Sequence, residues 1–352
     1  MITVQDRIVV HAGDLALLRT LLRERYLPGA EARGLTLVGT GVSPPVLAAN
    51  APVTLWLRWQ IADVGAWWAM RAQSGTPEVV AFWAEVDGFC LERERCYPCE
   101  PDALGAEQPV DESDAAVATR GYRETAQLAL RDGLGAEQVT AFAEELQRAA
   151  QTLPGTEAVS LARNYAPEYA AGDFTLDLLY ADDASAKAAR QSAVWRDAIA
   201  PALDTHCAAV HALALDTIGA GLREPALSGS VKRTAFFRLL PGVGGETAVR
   251  FERDLLEMPL HIPEIRNWRL SRAIAADWCR VGEAPWSYVW EQEFADLNGL
   301  IGPYMVHPHH WGHIDRWFDP ESGVQAIDAR LSHAFSPLSS SLMSLEAVPQ
   351  SR

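Results

Sequence analysis

The chain repeats itself, and that repeat limits its architecture more than any other feature. Sliding the sequence by 109 positions lays Thr125-Ala126 on Thr234-Ala235 and Gly133-Leu134-Gly135-Ala136-Glu137 on Gly242-Val243-Gly244-Gly245-Glu246 without a gap. Phe142 meets Phe251, Leu146 meets Leu255, Pro154 meets Pro263, Leu161 meets Leu270 and Arg163 meets Arg272. After a short insertion, Tyr180-Ala181-Asp182 falls on Phe294-Ala295-Asp296 at an offset of 114. Scattered identities arise by chance. A shared order of strand, Gly turn, amphipathic helix, Pro and strand does not.

Each copy reads as β-α-β-β-α-β. In the later copy, residues 234–240 are rich in strand formers and end at Pro241-Gly242. Residues 246–258 predict a helix with Val249, Leu255, Leu256 and Met258 on its apolar side. Strands are expected over 266–272 and 287–294. The second of these alternates Tyr288, Trp290, Gln292 and Phe294 with Val289, Glu291 and Glu293, so one face is aromatic and the other acidic. A helical stretch after Asp296 and a final strand over 325–335 complete the ferredoxin-like pattern. The N-terminal third has the same coarse order, with strands over 7–11, 35–41 and 54–61, a helix over 14–25 and a Trp-rich helix around Trp67-Trp68. The expected fold is α+β: tandem ferredoxin-like (βαββαβ) modules over 1–105 (divergent), 117–222 and 229–338. The boundaries fall in the acidic, Pro- and Gly-containing stretch 100–114 and near 219–230.

A chain of 352 residues is long enough for two or three such domains. Its formal charge of −16 argues against nucleic acid or an anionic membrane as a partner, because both require a basic footprint. The start, Met1-Ile2-Thr3-Val4-Gln5-Asp6-Arg7, lacks the basic and apolar regions of a signal peptide. No stretch approaches the roughly 20 apolar residues of a membrane helix. The cytoplasm is therefore the expected location. The five cysteines are scattered, unlike a disulfide framework. Cys96-Tyr97-Pro98-Cys99 forms a C-x-x-C, but acidic Glu100-Pro101-Asp102 follows it and no second ligand pair lies nearby, so incidental thiols are expected.

Chemistry concentrates in Tyr304-Met305-Val306-His307-Pro308-His309-His310-Trp311-Gly312-His313, which holds four of the nine histidines. Imidazole titrates near neutrality, so the cluster points to proton transfer or metal binding. A metal needs ligands on one face. His309 and His313 at i, i+4 supply two, with Asp315 or Glu291 to complete a set. Pro308 opposes a helix through the start of that pair, and the Glu of a zinc protease is missing. Trp286, Trp290 and Trp311 are candidates to wall a flat, dry pocket, and Arg233 and Arg272 to hold a carboxylate or phenolate bidentately. Structural roles compete with each of these: tryptophans fill cores, and Arg163 and Arg272 recur in both copies as a shared salt bridge would.

Residues 229–337 resemble a dimeric α/β-barrel (Dabb, or stress-responsive A/B barrel) domain. The resemblance rests on the strand Val231-Lys232-Arg233-Thr234-Ala235-Phe236-Phe237-Arg238-Leu239 with Pro241-Gly242-Val243, on Ile262-Pro263-Glu264-Ile265, and on Tyr304-x-x-His307-Pro308-x-His310. It weakens over 119–222 and reduces to element order in the N-terminal third. It implies that two units pack sheet on sheet as a barrel, which leaves the odd unit to pair across a homodimer or to serve as scaffold. Arg190, Val194, Trp195 and Arg196 stand where Tyr304, Pro308, His309 and His310 stand in the later copy, so the resemblance implies one working pocket.

By likeness to plant polyketide cyclases of the olivetolic acid type, His310 is implied as general base, Tyr304 as the hydroxyl beside the reacting carbonyl, and His307 as an orienting group. His309 and His313 have no family counterpart and fall to substrate contact. The implied activity is a cofactor-independent lyase, isomerase or cyclase acting on an aromatic or polyketide-like carbonyl compound. The alternatives are a haem- or metal-dependent enzyme on the same fold and a stress protein that binds a small hydrophobe without turnover.

Overall fold

The computed structural model describes residues 1–48, 51–103, 115–282 and 285–348. Most of the expected acidic linker, residues 104–114, lies outside that set. The chain divides into two compact units, Met1–Gln108 with Val306–Ala329, and Pro109–Met305 with Arg330–Arg352.

The first unit runs β1 (Ile2–His11), α1 (Leu15–Leu21), α2 (Leu27–Ala32), β2 (Thr36–Ser43), β3 (Pro52–Ile61), α3 (Val64–Arg71), α4 (Pro77–Asp87) and β4 (Glu92–Cys96). Its sheet has the order β2-β3-β1-β4 with every neighbour antiparallel, which is the split-βαβ arrangement of a ferredoxin-like fold. Strand alternation puts Val53, Leu55, Leu57, Trp59 and Ile61 on the face that meets Leu18, Trp67, Met70 and Phe82. Asp63 caps α3 by accepting from the Ala66 N–H at 2.8 Å.

Segment 306–329 belongs to this core. Trp311 packs on Trp67 and Tyr97 at ring separations of 5.6 and 5.5 Å. Glu321 accepts from Arg33 at 2.8 and 3.0 Å and from Arg95 at 2.9 Å, while Arg95 also holds Asp6. The strand expected over 325–335 begins later, at Ser332. Ala326 and Ile327 are fully buried and both donate their N–H to the Trp317 carbonyl, which fixes them as a turn in the first unit.

The second unit opens with β5 (Ala118–Thr119) and then contains two copies of the same pattern. The first is β6 (Tyr122–Leu130), α5 (Ala136–Gln151), β7 (Thr156–Arg163), β8 (Phe174–Tyr180), α6 (Asp183–Gln191), α7 (Ala200–His206) and β9 (Cys207–Leu222). The second is β10 (Ser228–Phe237), α8 (Gly245–His261), β11 (Asn267–Ala275), β12 (Tyr288–Phe294), α9 (Leu297–Gly299) and β13 (Ser332–Ser340), followed by α10 (Leu342–Glu346) and β14 (Ala347–Val348), which pairs with β5. The eight strands order as β13-β10-β12-β11-β9-β6-β8-β7, with the copies joined through β11 and β9. Tyr165 donates its N–H to the Phe335 carbonyl at 2.7 Å, so the sheet curls until β7 approaches β13. This is an α/β-barrel made from two ferredoxin-like halves. The register confirms the repeat: Glu124 pairs with Leu178 on β6 and β8, and Arg233 with Gln292 on β10 and β12, at the offsets read from the sequence.

Charged side chains fill part of the barrel interior. Lys232 meets Asp177 at 2.7 Å and Glu291 at 2.8 Å, and Arg123 binds Glu291 and lies 3.7 Å from Asp177. Lys232 is the repeat counterpart of Arg123, and Glu291 of Asp177, so the quartet obeys the pseudo-twofold relation. Glu346 on α10 joins it through Arg123 and Arg269. Buried ions persist only when paired this fully, because removing one partner strands the other in low dielectric.

Candidate active site

On the helix-facing side of β10 and β12, alternation places Arg233, Ala235, Trp290 and Gln292 together, with His333 opposite Ala235 on β13. Arg233 donates to Gln292 Oε1 at 2.7 Å and to His333 Nδ1 at 2.7 Å. Its guanidinium carbon lies 5.8 Å from the centroid of the Tyr304 ring. Tyr304 is 2% exposed and packs edge-on against Phe294 at 5.3 Å. Because arginine can only donate, His333 Nδ1 must accept, and this contact selects the tautomer with the proton on Nε2.

The charge balance at this point is unusual. Arg233 is buried, and among the described residues it has no carboxylate partner. Burial lowers its pKa from the ordinary value, with Tyr304 opposing that shift. A guanidinium nonetheless stays charged, so the site carries an uncompensated cation. Two more donors nearby, the Gln292 amide nitrogen and the Trp290 indole nitrogen, are buried without hydrogen-bond partners among the described residues. Three sets of donors and a net positive charge are the chemistry that can stabilise an oxyanion.

The corresponding place in the first copy of the second unit is closed. Glu124 stands where Arg233 stands, and Arg190 where Tyr304 stands. These two form a bidentate pair at 2.7 Å, and Trp278 donates to the same carboxylate at 3.0 Å. Nothing is left for a ligand to neutralise.

The other expected site residues are divided between the two units. Tyr304 lies in the second unit, whereas His307, His309, His310 and His313 lie in the first. His310 rests against Trp68 at 5.2 Å, and His309 faces His313 at 4.9 Å. His307 Nδ1 accepts the His309 N–H at 3.2 Å. Trp311 is part of the first unit's core. Trp286 donates to His211 at 3.1 Å beneath the Arg238 guanidinium, 3.6 Å from its ring, and packs with Leu213, Leu215, Phe236 and Val289. Trp290 is 1% exposed. Arg272 is half-exposed and engages Glu252 at 3.0 and 3.1 Å, as a structural pair.

A metal at the positions first considered does not fit these partners. Asp315 is bound by Arg71, and Glu291 by Arg123 and Lys232. Among the described residues no group of three or more His, Cys, Asp or Glu side chains is arranged to hold an ion. In the C-x-x-C, burial with the Glu94 and Asp6 carboxylates pushes the Cys96 thiol up, opposite to an activated thiolate. Among the described residues no helix is long and apolar enough to cross a membrane.

Sequence reasoning missed His333. It carries no motif, and the strand holding it was expected to end two residues later rather than to continue to Ser340. The signal that finds it is alternation: His333 and Phe335 share one face of β13, beside Arg233.

No protein-family model matches the chain, and no curated protein matches it. Several solved structures are similar to it over part of the chain. An anthrone oxidase-like protein is 7% identical with a TM-score of 0.44, over 70% of this chain and 100% of its own. A candidate monooxygenase from Fusobacterium nucleatum is 8% identical with a TM-score of 0.44, over 66% of this chain and 99% of its own. A mutant chlorite dismutase from Candidatus Nitrospira defluvii is 8% identical with a TM-score of 0.37, over 62% and 92%.

Proposed function

We propose that the Arg233 site stabilises the enolate or phenolate oxygen of an aromatic or polyketide-like carbonyl compound. The reaction is a cofactor-independent lyase, isomerase or cyclase step, of the decarboxylation or aldol ring-closure kind, as in Dabb-type polyketide cyclases. One observation carries the reading: a buried guanidinium with no carboxylate, surrounded by donors. Loss of a proton or of carbon dioxide beside a carbonyl puts negative charge on its oxygen. Preorganised donors lower that barrier, each contributing roughly 10²–10³-fold in rate. The aromatic edges of Phe294, Tyr304 and Trp290 suit a flat substrate.

The family resemblance gives the proton to His310, with Tyr304 polarising the carbonyl and His307 orienting. A second reading is favoured by the 2.7 Å contact of Arg233 with His333 Nδ1: an oxyanion that draws Arg233 away leaves Nδ1 open to accept a proton. Exchange of the methyl protons of dihydroxyacetophenone in heavy water, followed by proton NMR, tests the site without knowing the physiological substrate. Arg233→Gln is expected to lower protein-dependent exchange by about 10²-fold or more. His310→Ala and His333→Ala separate the two bases, since the true one loses about 10²–10⁴-fold. Wild-type exchange rates in Arg233→Gln would sink the proposal.

A further inference from the structure

The two halves of the barrel meet at two seams, and only one of them is zipped. β9 and β11 pair along their length from Leu222↔Asn267 to Leu213↔Ala275, with one register shift between Leu270 and Ser271. Across the other seam, among the described residues, β7 pairs only with β8 and β13 only with β10, apart from the bond from Tyr165 to Phe335. That bond sits at the repeat counterpart of Ile274↔Ala214 in the closed seam, since Ala214 lies opposite Glu124 and Phe335 opposite Arg233. The open seam therefore starts in the right register and then fails.

Pro337 is the reason. The carbonyl of Phe335 points across the seam, so the residue two further along turns its backbone the same way. In the closed seam that position is Asp216, which pairs with Arg272. Here it is a proline, which has no N–H to offer Arg163. A slot of about 460 Å³ opens, lined among others by Ser160, Leu161, Arg163, Ser230, Pro337 and Leu338.

Two independent features at this slot point to a ligand. Ser230 is 4% exposed, and among the described residues its hydroxyl has no hydrogen-bond partner. Alternation along β10 puts it on the barrel-interior face with Lys232, at the inner end of the slot. Arg163 lies on the opposite, outer face and is exposed, and among the described residues it makes no hydrogen bond or ion pair. Its counterpart Arg272 is held by Glu252, but the residue corresponding to Glu252 is Ala143. The cation is present in both copies, the acid in only one. Leu161, Pro337 and Leu338 form apolar walls between the two polar ends.

We infer that this slot binds an elongated small carboxylate with a hydroxyl at its far end, the carboxylate held by Arg163 and the hydroxyl by Ser230. A hydroxyaryl acid has that length and polarity, with a flat body for the apolar walls. The site is independent of the Arg233 site and does not rest on the function proposed for it.

Para-hydroxybenzoate, titrated by calorimetry into the full-length protein, is the probe. Arg163→Ala and Ser230→Ala are each expected to weaken binding about tenfold, the loss expected of a charge-assisted or buried hydrogen bond. Benzoate, which lacks the hydroxyl, is expected to bind the wild type more weakly by a similar factor and to be insensitive to Ser230→Ala. Pro337→Thr restores the N–H, lets the seam zip and reduces binding. Arg163 is exposed, so its variant tests the idea even if Ser230→Ala fails to fold. No binding at millimolar concentration overturns the inference. So does a loss seen in Arg233→Gln with Arg163→Ala unchanged, which would place the probe at the other site.

Discussion

The two copies in the barrel place opposite chemistry at the same two positions. In the first, Glu124 and Arg190 neutralise each other and Trp278 completes the carboxylate. In the second, Arg233 and Tyr304 leave a guanidinium facing neutral groups. A closed ion pair is scaffold, whereas a buried cation without an anion is destabilised until something negative arrives. The duplication kept the pattern of strands and helices while the helix-facing polar positions diverged. On the function proposed above, one half of the barrel is the site and the other its support.

The contrast is broken most forcefully from the scaffold side. Glu124→Ala leaves Arg190 and Trp278 without their acceptor and is expected to cost about 3–5 kcal/mol, read by chemical denaturation. Exchange activity per folded molecule should stay at the wild-type level. A specific loss of activity at full stability would mean that the first copy is not scaffold.

A smaller effect comes from the quartet between the copies. Burial pushes the Asp177 carboxyl up, but Lys232 and Arg123 outweigh it and leave it below its ordinary value. A depressed acid contributes stability that is complete above the unfolded-state value of about 3.9 and is lost as pH falls toward the lower folded-state value. Denaturation curves between pH 7 and 3 should therefore show falling stability in the wild type and a flatter acid limb in Asp177→Asn. Parallel limbs would contradict the assigned pairing.

The smallest effect is expected at Arg272. Its pair with Glu252 is half-exposed, so Arg272→Ala should cost no more than about 1 kcal/mol and leave proton exchange unchanged. Loss of exchange would return Arg272 to the ligand site first considered for it.

The fold was legible because its information is periodic. Gly turns, Pro breaks and the alternation of Trp290 and Phe294 with Glu291 and Glu293 define elements locally, and the 109-residue offset shows that they recur. The place of Arg233 on a strand of the later copy was also legible. The unit to which the histidine cluster belongs was not legible in the sequence. Tyr304 and His310 are six residues apart, yet they fall in different units, because Trp311 packs on Trp67 and Asp315 on Arg71, partners more than 200 residues away. No local pattern encodes that choice. His333 stayed hidden for the converse reason: its meaning comes only from the strand beside it.

The most direct measurement is a crystal structure of the protein with dihydroxyacetophenone bound. The account predicts the carbonyl or phenolate oxygen within hydrogen-bond distance of the Arg233 guanidinium, with the aromatic ring against Tyr304. A ligand bound elsewhere, with Arg233 still held only by Gln292 and His333, would contradict it.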